Sequence, residues 1–286
     1  MSPSFAELVE GLATAGYIAD EGTATAVQLA LALDKPLLVE GAPGVGKTSI
    51  AQALAAMLGR RLIRLQCHDG IDAGQALYEW NHARQLLAIR AHQAGPLEAL
   101  YGDDYLIERP LLAALRAGAQ CVLLIDEIDR ADDAFEAFLL EFLGEGQITI
   151  PERGTLKATT RPLAVLTSNR TRELHEALRR RCLYHWIDYP APEREAAIVR
   201  LHNPSLPERA ATSLVAAVGG ARRLPLLKKP GVSESIDWSR GAAALAANGT
   251  AWPEALRRSL GLLVKDQEDF DLMLREATRI LEEAGV

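Results

Sequence analysis

Apolar and polar positions along the chain follow two regimes. From about residue 36 to 190, short apolar runs alternate with longer periodic stretches; beyond 190 only helical periodicity remains. Pro36–Glu40, Leu62–Gln66, Cys121–Ile125, Pro162–Thr167 and Leu183–Ile187 have the length and composition of buried strands. Gln147–Ile150 alternates with period 2, Pro151–Gly154 supplies a turn, and Thr155–Ala158 returns, which predicts a β-hairpin. Residues 5–33 predict two helices. Phe5, Leu8, Val9 and Leu12 share one face of the first; after a break at Asp20–Gly22, Val27, Leu29, Ala30, Leu31 and Leu33 form the second. Helices are also predicted over Thr48–Leu58, with Gly59 as C-cap, over Pro110–Ala117, ending at Gly118, and over Asp132–Leu143, N-capped by Asp132 or Asp133 and closed by Gly144. Ala73–Arg90 is helical in composition, although it contains Tyr78 and Trp80. The prolines of Asp188–Pro192 break the pattern. After them come helices at about Glu193–His202, Pro207–Val218, Ser233–Ala247, Pro253–Val264 and Gln267–Ala284. The pattern predicts an α/β domain over 1–190 and a small all-α domain over 191–286, with no internal repeat.

Composition narrows the options. The 286 residues are 49% hydrophobic, enough for a sizeable core, and carry a net charge of −7. Binding to a phosphate backbone usually needs a basic excess, so nucleic acid is a weak candidate partner. Cys67, Cys121 and Cys182 have no CxxC spacing and read as reduced thiols of a cytoplasmic protein. Met1–Leu8 lacks a basic n-region and a long apolar segment, so no signal peptide is expected. No apolar run approaches the ~18 residues needed to span a bilayer. Cys67–His68 suggests a metal pair, but two adjacent residues cannot complete a coordination shell.

The sharpest chemistry lies in Gly41-Ala42-Pro43-Gly44-Val45-Gly46-Lys47-Thr48, which fits G-x-x-x-x-G-K-[ST]. An apolar strand precedes it and a helix beginning with Thr48 and Ser49 follows, the context that makes the pattern a phosphate-binding loop. Consecutive N–H groups of such a loop point into one concavity, at the positive end of the helix. Lys47 then reaches the β- and γ-phosphates, and Thr48 offers a hydroxyl to Mg2+. The second signal is Asp126-Glu127 at the end of the run Cys121–Ile125. Open α/β sheets bind ligands at that edge. Asp126 can hold Mg2+ through water, and Glu127 can polarise a water for attack on the γ-phosphate. Asn169 ends another strand, where an amide can orient the attacking water; Ser168-Asn169 also reads as a plain turn. Arg179-Arg180-Arg181 closes a helix before the last strand, where arginines can simply complement the helix dipole.

Together these features resemble the AAA+ ATPases: the P-loop, Val122–Glu127 as Walker B, Asn169 as sensor 1, and arginines before the fifth strand. The resemblance covers about 36–190 strongly and the helical lid less so. The hairpin 147–158 resembles the pre-sensor-1 insertion, and about 70–95 is placed like a helix-2 insert, which together point to the MoxR branch. Leu77–Asn81, Leu178–Cys182 with His185–Asp188, and Lys228–Trp238 resemble a MoxR subgroup that accompanies carbon monoxide dehydrogenase and related molybdenum hydroxylases, often encoded with a von Willebrand A-type protein. The resemblance implies a parallel five-stranded sheet of order 5-1-4-3-2 with a small all-α lid. It implies a homo-oligomeric ring, a hexamer by family habit, with ATP and Mg2+ between subunits. Arg181, directly before Cys182, is then the first choice for a trans-acting arginine finger, with Arg180 second. The position at which the family carries its sensor-2 arginine holds Ser235; Arg240 lies further along, and sensor 2 is unassigned.

The function expected is ATP hydrolysis, to ADP and phosphate, coupled to remodelling or maturation of a soluble protein client. Insertion of a metal centre into an oxidoreductase is one form this could take. A nucleic-acid-directed motor is the alternative, since related branches share the hairpin. A small-molecule kinase would leave Asp126-Glu127, the arginines and the helical second domain unexplained.

Overall fold

The structure, a computed structural model, describes residues 3–91 and 97–286. Its residues fall into two compact units. One takes Met1–Ala15, Ala19–Glu40 and Thr48–Trp186; the other takes Gly16–Ile18, Gly41–Lys47 and Ile187–Val286.

Five strands make the main sheet: β1 Leu37–Gly41, β2 Arg61–Gln66, β3 Cys121–Asp126, β4 Leu163–Ser168 and β5 Leu183–Ile187. Their order is β2-β3-β4-β1-β5, the expected 5-1-4-3-2. The β2–β3, β3–β4 and β4–β1 pairs are parallel. The Leu183 N–H donates to the Pro36 carbonyl (2.8 Å), so β5 starts beside the start of β1. β3 and β4 are buried at every position, as expected of parallel strands covered on both faces. Leu111, Leu112 and Leu115 of the helix Pro110–Ala117 share one core cluster with Phe135, Leu139 and Phe142 of the helix Asp133–Glu145.

Local chemistry sets the helix starts. Ser4 and Glu7 form a capping box at Phe5–Thr14, and the Asp20 carboxylate accepts the Thr23 N–H (2.6 Å) at the start of Glu21–Leu33. Not all of the predicted apolar faces are buried. Leu8, Leu12, Val27 and Ala30 are, but Phe5, Leu29 and Leu33 are exposed. Gly144 lies inside the helix Asp133–Glu145, and Gly146 (φ +64°) closes it instead.

Ala73–Arg90 is not one helix. It divides into the one-turn helix Ala73–Ala76, the short strand Tyr78–Trp80 and the helix His82–Arg90. Tyr78–Trp80 pairs antiparallel with Leu106–Glu108, and Trp80 stacks edge-on against Tyr101, so aromatic packing with a distant segment overrides local helix propensity. Residues 92–95 of the expected insert lie outside the described residues. The hairpin Gln147–Ile150/Gly154–Lys157 forms as expected. Its turn is tied to the insert: Trp80 Nε1 donates to Glu152 (3.4 Å), and Arg153 pairs with Asp103 (2.6 Å).

In the second unit, Pro192–His202, Glu208–Arg223, Val232–Ala247, Trp252–Arg258 and Gln267–Glu283 surround the fully buried Trp238. Glu208–Arg223 continues past the expected end at Val218. The helix expected over Pro253–Val264 stops at Arg258 and gives way to the 3-10 turn Leu260–Leu262, after Ser259 Oγ donates back to the Ala255 carbonyl (2.7 Å). No described helix is long and apolar enough to cross a membrane.

Candidate active site

The glycine loop is built from backbone. Gly44 has φ +74°, and a Cβ there would stand 2.7 Å from Ser233 Oγ and 3.1 Å from Gly231 Cα. A Cβ at Gly41 would stand 2.2 Å from the Ile187 carbonyl oxygen, so only glycine allows this approach. The Gly44 carbonyl accepts the N–H groups of Val232 (2.8 Å) and Ser233 (3.3 Å), the first residues of the helix Val232–Ala247. Lys47 Nζ donates to the carbonyls of Gly41 (2.8 Å) and Ala42 (2.7 Å). Ala42, Pro43, Val45 and Gly46 complete the loop. Thr48 and Ser49 follow Lys47 in the first turn of the helix Lys47–Met57.

The carboxylate edge is built from side chains. Asp126 is buried at the end of β3; its Oδ1 accepts from Thr167 Oγ1 (2.5 Å) and Thr48 Oγ1 (3.0 Å). Arg64, from β2, pairs with Asp126 Oδ2 (2.5 Å). Glu127 follows in left-handed backbone (φ +55°), a conformation that costs a non-glycine residue about 1–2 kcal/mol. It is held there by Thr167 Oγ1, which accepts the Glu127 N–H (2.9 Å). The Glu127 carboxylate accepts from Gln66 Nε2 (3.1 Å) and pairs with Arg130 (3.1 Å).

Asn169 follows β4, so the register of β3 and β4 brings it to the same edge as Asp126 and Glu127. Its N–H donates to Asp129 Oδ1 (3.1 Å), and among the described residues its carboxamide makes no hydrogen bond. Asp129 is buried. Although burial pushes its carboxyl up, hydrogen bonds from Thr171 and Asn169 outweigh this and hold it below the usual aspartate value.

The arginines lie at the other edge. The helix Glu176–Arg181 runs into β5, whose start is level with the start of β1. β3 and β4 span six residues each, or about 20 Å at ~3.3 Å per residue, between the strand starts and the carboxylates at their ends. Arg180 is paired with Glu176. Arg181 is exposed, donates to the Ala177 carbonyl (3.3 Å) and lies across Gly144, where a Cβ would stand 2.9 Å from its Nε. Arg179 lies over the Tyr184 ring.

In the second unit, Ser235 is buried and donates to Glu195 Oε1 (2.6 Å), while Arg222 forms a two-point pair with Glu195 (2.6 and 2.8 Å). Arg240 donates to the His202 carbonyl. The three cysteines are buried free thiols; burial, joined at Cys67 by nearby carboxylates, pushes Cys67 and Cys182 up to about 12. Among the described residues no group of three His, Cys, Asp or Glu could hold a metal.

Residues 36–182 match the family profile described as "AAA domain (dynein-related subfamily)", about half of the chain. The chain belongs to the AAA family. NorQ of Paracoccus denitrificans is 28% identical over 197 residues, 66% of this chain and 66% of NorQ. A segment of the Lon protease of Methylocella silvestris is 34% identical over 92 residues, 32% of this chain and 9% of Lon. The chain thus spans less than two thirds of these relatives. Among solved structures, a mutant RuvB of Thermotoga maritima has the same fold: TM-score 0.55 at 17% identity, covering 92% of this chain and 75% of that one.

Arg64, Gln66, Thr167 and Asp129 were not foreseen as site residues. Arg64 and Gln66 alternate with the inward-facing Ile63 and Leu65, the only local sign that they share a face. Thr167 is a polar residue at the end of an apolar strand, and Asp129 reads as an ordinary turn former.

Proposed function

We propose that this AAA+ ATPase hydrolyses ATP to remodel or mature a soluble protein client. The observation that carries the reading is the convergence of Thr48, Asp126, Glu127 and Asn169 at one strand edge, with Thr48 Oγ1 and Asp126 Oδ1 3.0 Å apart. Hard oxygen donors of this kind suit Mg2+, and a loop with no room for side chains suits phosphate. Thr48 and Asp126 would hold Mg2+, which when bound neutralises charge across the β- and γ-phosphates. The loop 41–47 binds the phosphates through its N–H groups, and Lys47 supplies a point charge. Glu127 takes the proton of the attacking water, and the Asn169 carboxamide orients that water. Positioning and electrostatics lower the barrier, with no covalent intermediate.

A ring of subunits, six by analogy with the family, completes the site in this proposal. Arg181 stands at the strand edge opposite Glu127, so it serves a neighbour's nucleotide; Arg180, paired with Glu176, is the second choice. The division at 190/191, a cytoplasmic location, a von Willebrand A-type partner and a metal-centre insertion into an oxidoreductase belong to the same proposal. The division rests on the prolines of Asp188–Pro192 and the location on the three thiols read as reduced, while the partner and the metal-centre insertion rest on the resemblance of Leu77–Asn81, Leu178–Cys182 with His185–Asp188, and Lys228–Trp238 to the subgroup described above.

Phosphate release measured with Mg2+ and ATP tests the reading. Glu127→Gln should bind ATP normally in calorimetry and hydrolyse it at least ~10²-fold more slowly, as for loss of a general base. In ATP it should also hold a client that co-purifies. Near-normal turnover would overturn the role of Glu127. Severalfold stimulation by DNA at physiological salt, with none by proteins, would favour the nucleic-acid motor, against the net charge of −7.

A further inference from the structure

Three consecutive N–H groups after β4 have no strand or helix to bond to. Side chains take all of them. Asp129 Oδ1 accepts the Asn169 N–H (3.1 Å), Ser168 Oγ accepts the Arg170 N–H (3.0 Å), and Asp129 Oδ2 accepts the Thr171 N–H (2.9 Å). Asp129 Oδ2 also accepts from Thr171 Oγ1 (2.7 Å). Between the two amides held by Asp129, Arg170 adopts left-handed backbone (φ +56°), a conformation that persists in a non-glycine residue only where its surroundings over-determine it.

We propose that Asp129 is a positioning residue for hydrolysis: it fixes the turn that aims Asn169, and so sets Asn169 against Glu127, two residues before it. The proposal rests on the ATP-hydrolysis reading above. Asp129 belongs to the 3-10 turn Ile128–Arg130 that follows Glu127 directly, so one short segment carries both the general base and the anchor of the water-orienting amide. The Asn169 carboxamide has no hydrogen bond of its own among the described residues, which leaves its aim to the backbone that Asp129 holds. Anchors further along are independent of Asp129. Arg172 donates to the Ala131 carbonyl and pairs with the fully buried Glu136, which also accepts the His175 N–H (2.8 Å). Removing Asp129 therefore loosens residues 169–171 while the segment around 172–175 stays docked.

The role separates aim from binding. Asp129 touches no group assigned to the phosphates, so its loss should lower kcat and spare ATP affinity. A displacement of about 1 Å in a catalytic group can cost ~10²-fold. The test is a double-mutant cycle in the full chain, read by kcat, KM and ATP affinity from calorimetry, with thermal melts as a folding check. Asp129→Ala should lower kcat by tenfold to a hundredfold with ATP affinity within about twofold of wild type. Asp129→Asn keeps an acceptor for the Asn169 N–H and should recover part of that loss. In Asn169→Ala, adding Asp129→Ala should cost almost nothing more, because the anchor then has nothing to aim. Additive losses, or ATP affinity falling as far as kcat, would overturn the proposal. Should Asp129→Ala fail to fold, Asp129→Asn and Thr171→Val carry the same cycle. Wild-type turnover with an equally fast Asp129→Asn and Thr171→Val overturns the positioning role alone; a wild type without turnover overturns the ATPase reading and this proposal with it.

Discussion

The glycine loop and the carboxylate edge are built by opposite means. In the loop, the absence of side chains at Gly41 and Gly44 makes the shape, and carbonyls receive the Lys47 ammonium and the first turn of a helix. At the edge, side chains from two strands and one turn stitch together the positions of Asp126, Glu127 and Asn169: Arg64, Gln66, Thr167 and Asp129. The pattern of the backbone device is written in eight consecutive residues, with its distant packing partners at Ile187 and Gly231. A side-chain device is encoded across the chain and exists only once the sheet has formed.

That contrast yields its largest effect when binding is separated from hydrolysis. Lys47→Ala should lose tight ATP binding. Arg181→Ala should keep it and hydrolyse about 10³-fold more slowly, the scale of a trans-acting arginine. Mixed rings of the two variants should regain part of the activity, at interfaces where an intact loop meets an intact arginine. Mixed rings that form and stay inactive would return Arg181 to a helix-end role, in keeping with its bond to the Ala177 carbonyl. A smaller effect tests the edge itself. Thr167→Val removes the donor to Asp126 and the acceptor for the Glu127 N–H. A hydrogen bond to a charged group contributes about 1.5–3 kcal/mol, so turnover should fall at least ~10-fold with ATP affinity nearly unchanged. Equal turnover in stopped-flow phosphate release would mean that the edge needs no such stitching.

The smallest effect lies away from both regions, in the tie between insert and hairpin. Hydrogen bonds from Arg153 and Arg116 hold the Asp103 carboxyl at about 2, below its ordinary 3.8. A depressed folded-state value means that this stabilisation is present above about pH 4 and lost as pH falls through about 2. The pair is solvent-exposed, so Asp103→Asn should lower the melting temperature by only about 1–2 °C at pH 7 and by less as the solution approaches pH 2. An equal shift at both pH values would show that charge is not what joins them.

The sequence made the loop, the five strands and Asp126-Glu127 legible because each is a local pattern: glycine spacing, an apolar run, a carboxylate pair at its end. Their order came through family resemblance rather than periodicity. The strand Tyr78–Trp80 was hidden because its partner, Leu106–Glu108, lies far along the chain and its neighbours favour helix. Asp129 was hidden for a related reason. An aspartate after Glu127-Ile128 looks like any turn former until β4 arrives beside β3 and presents the amides of Asn169 and Thr171.

The meeting of Gly44 and Gly231 has a consequence for how such a sequence can drift. A Cβ on Gly44 would stand 3.1 Å from Gly231 Cα, and one on Gly231 would stand 2.8 Å from Gly44 Cα. Neither residue can acquire a side chain unless the other's backbone retreats, and that retreat would strip the helix Val232–Ala247 of the Gly44 carbonyl that receives its first N–H groups. No single substitution at one position can repair a change at the other, since glycine has nothing left to give up. The two sites, far apart in the gene, are therefore inherited as one character, and a descendant chain that loses either glycine must rebuild the loop and the helix start together.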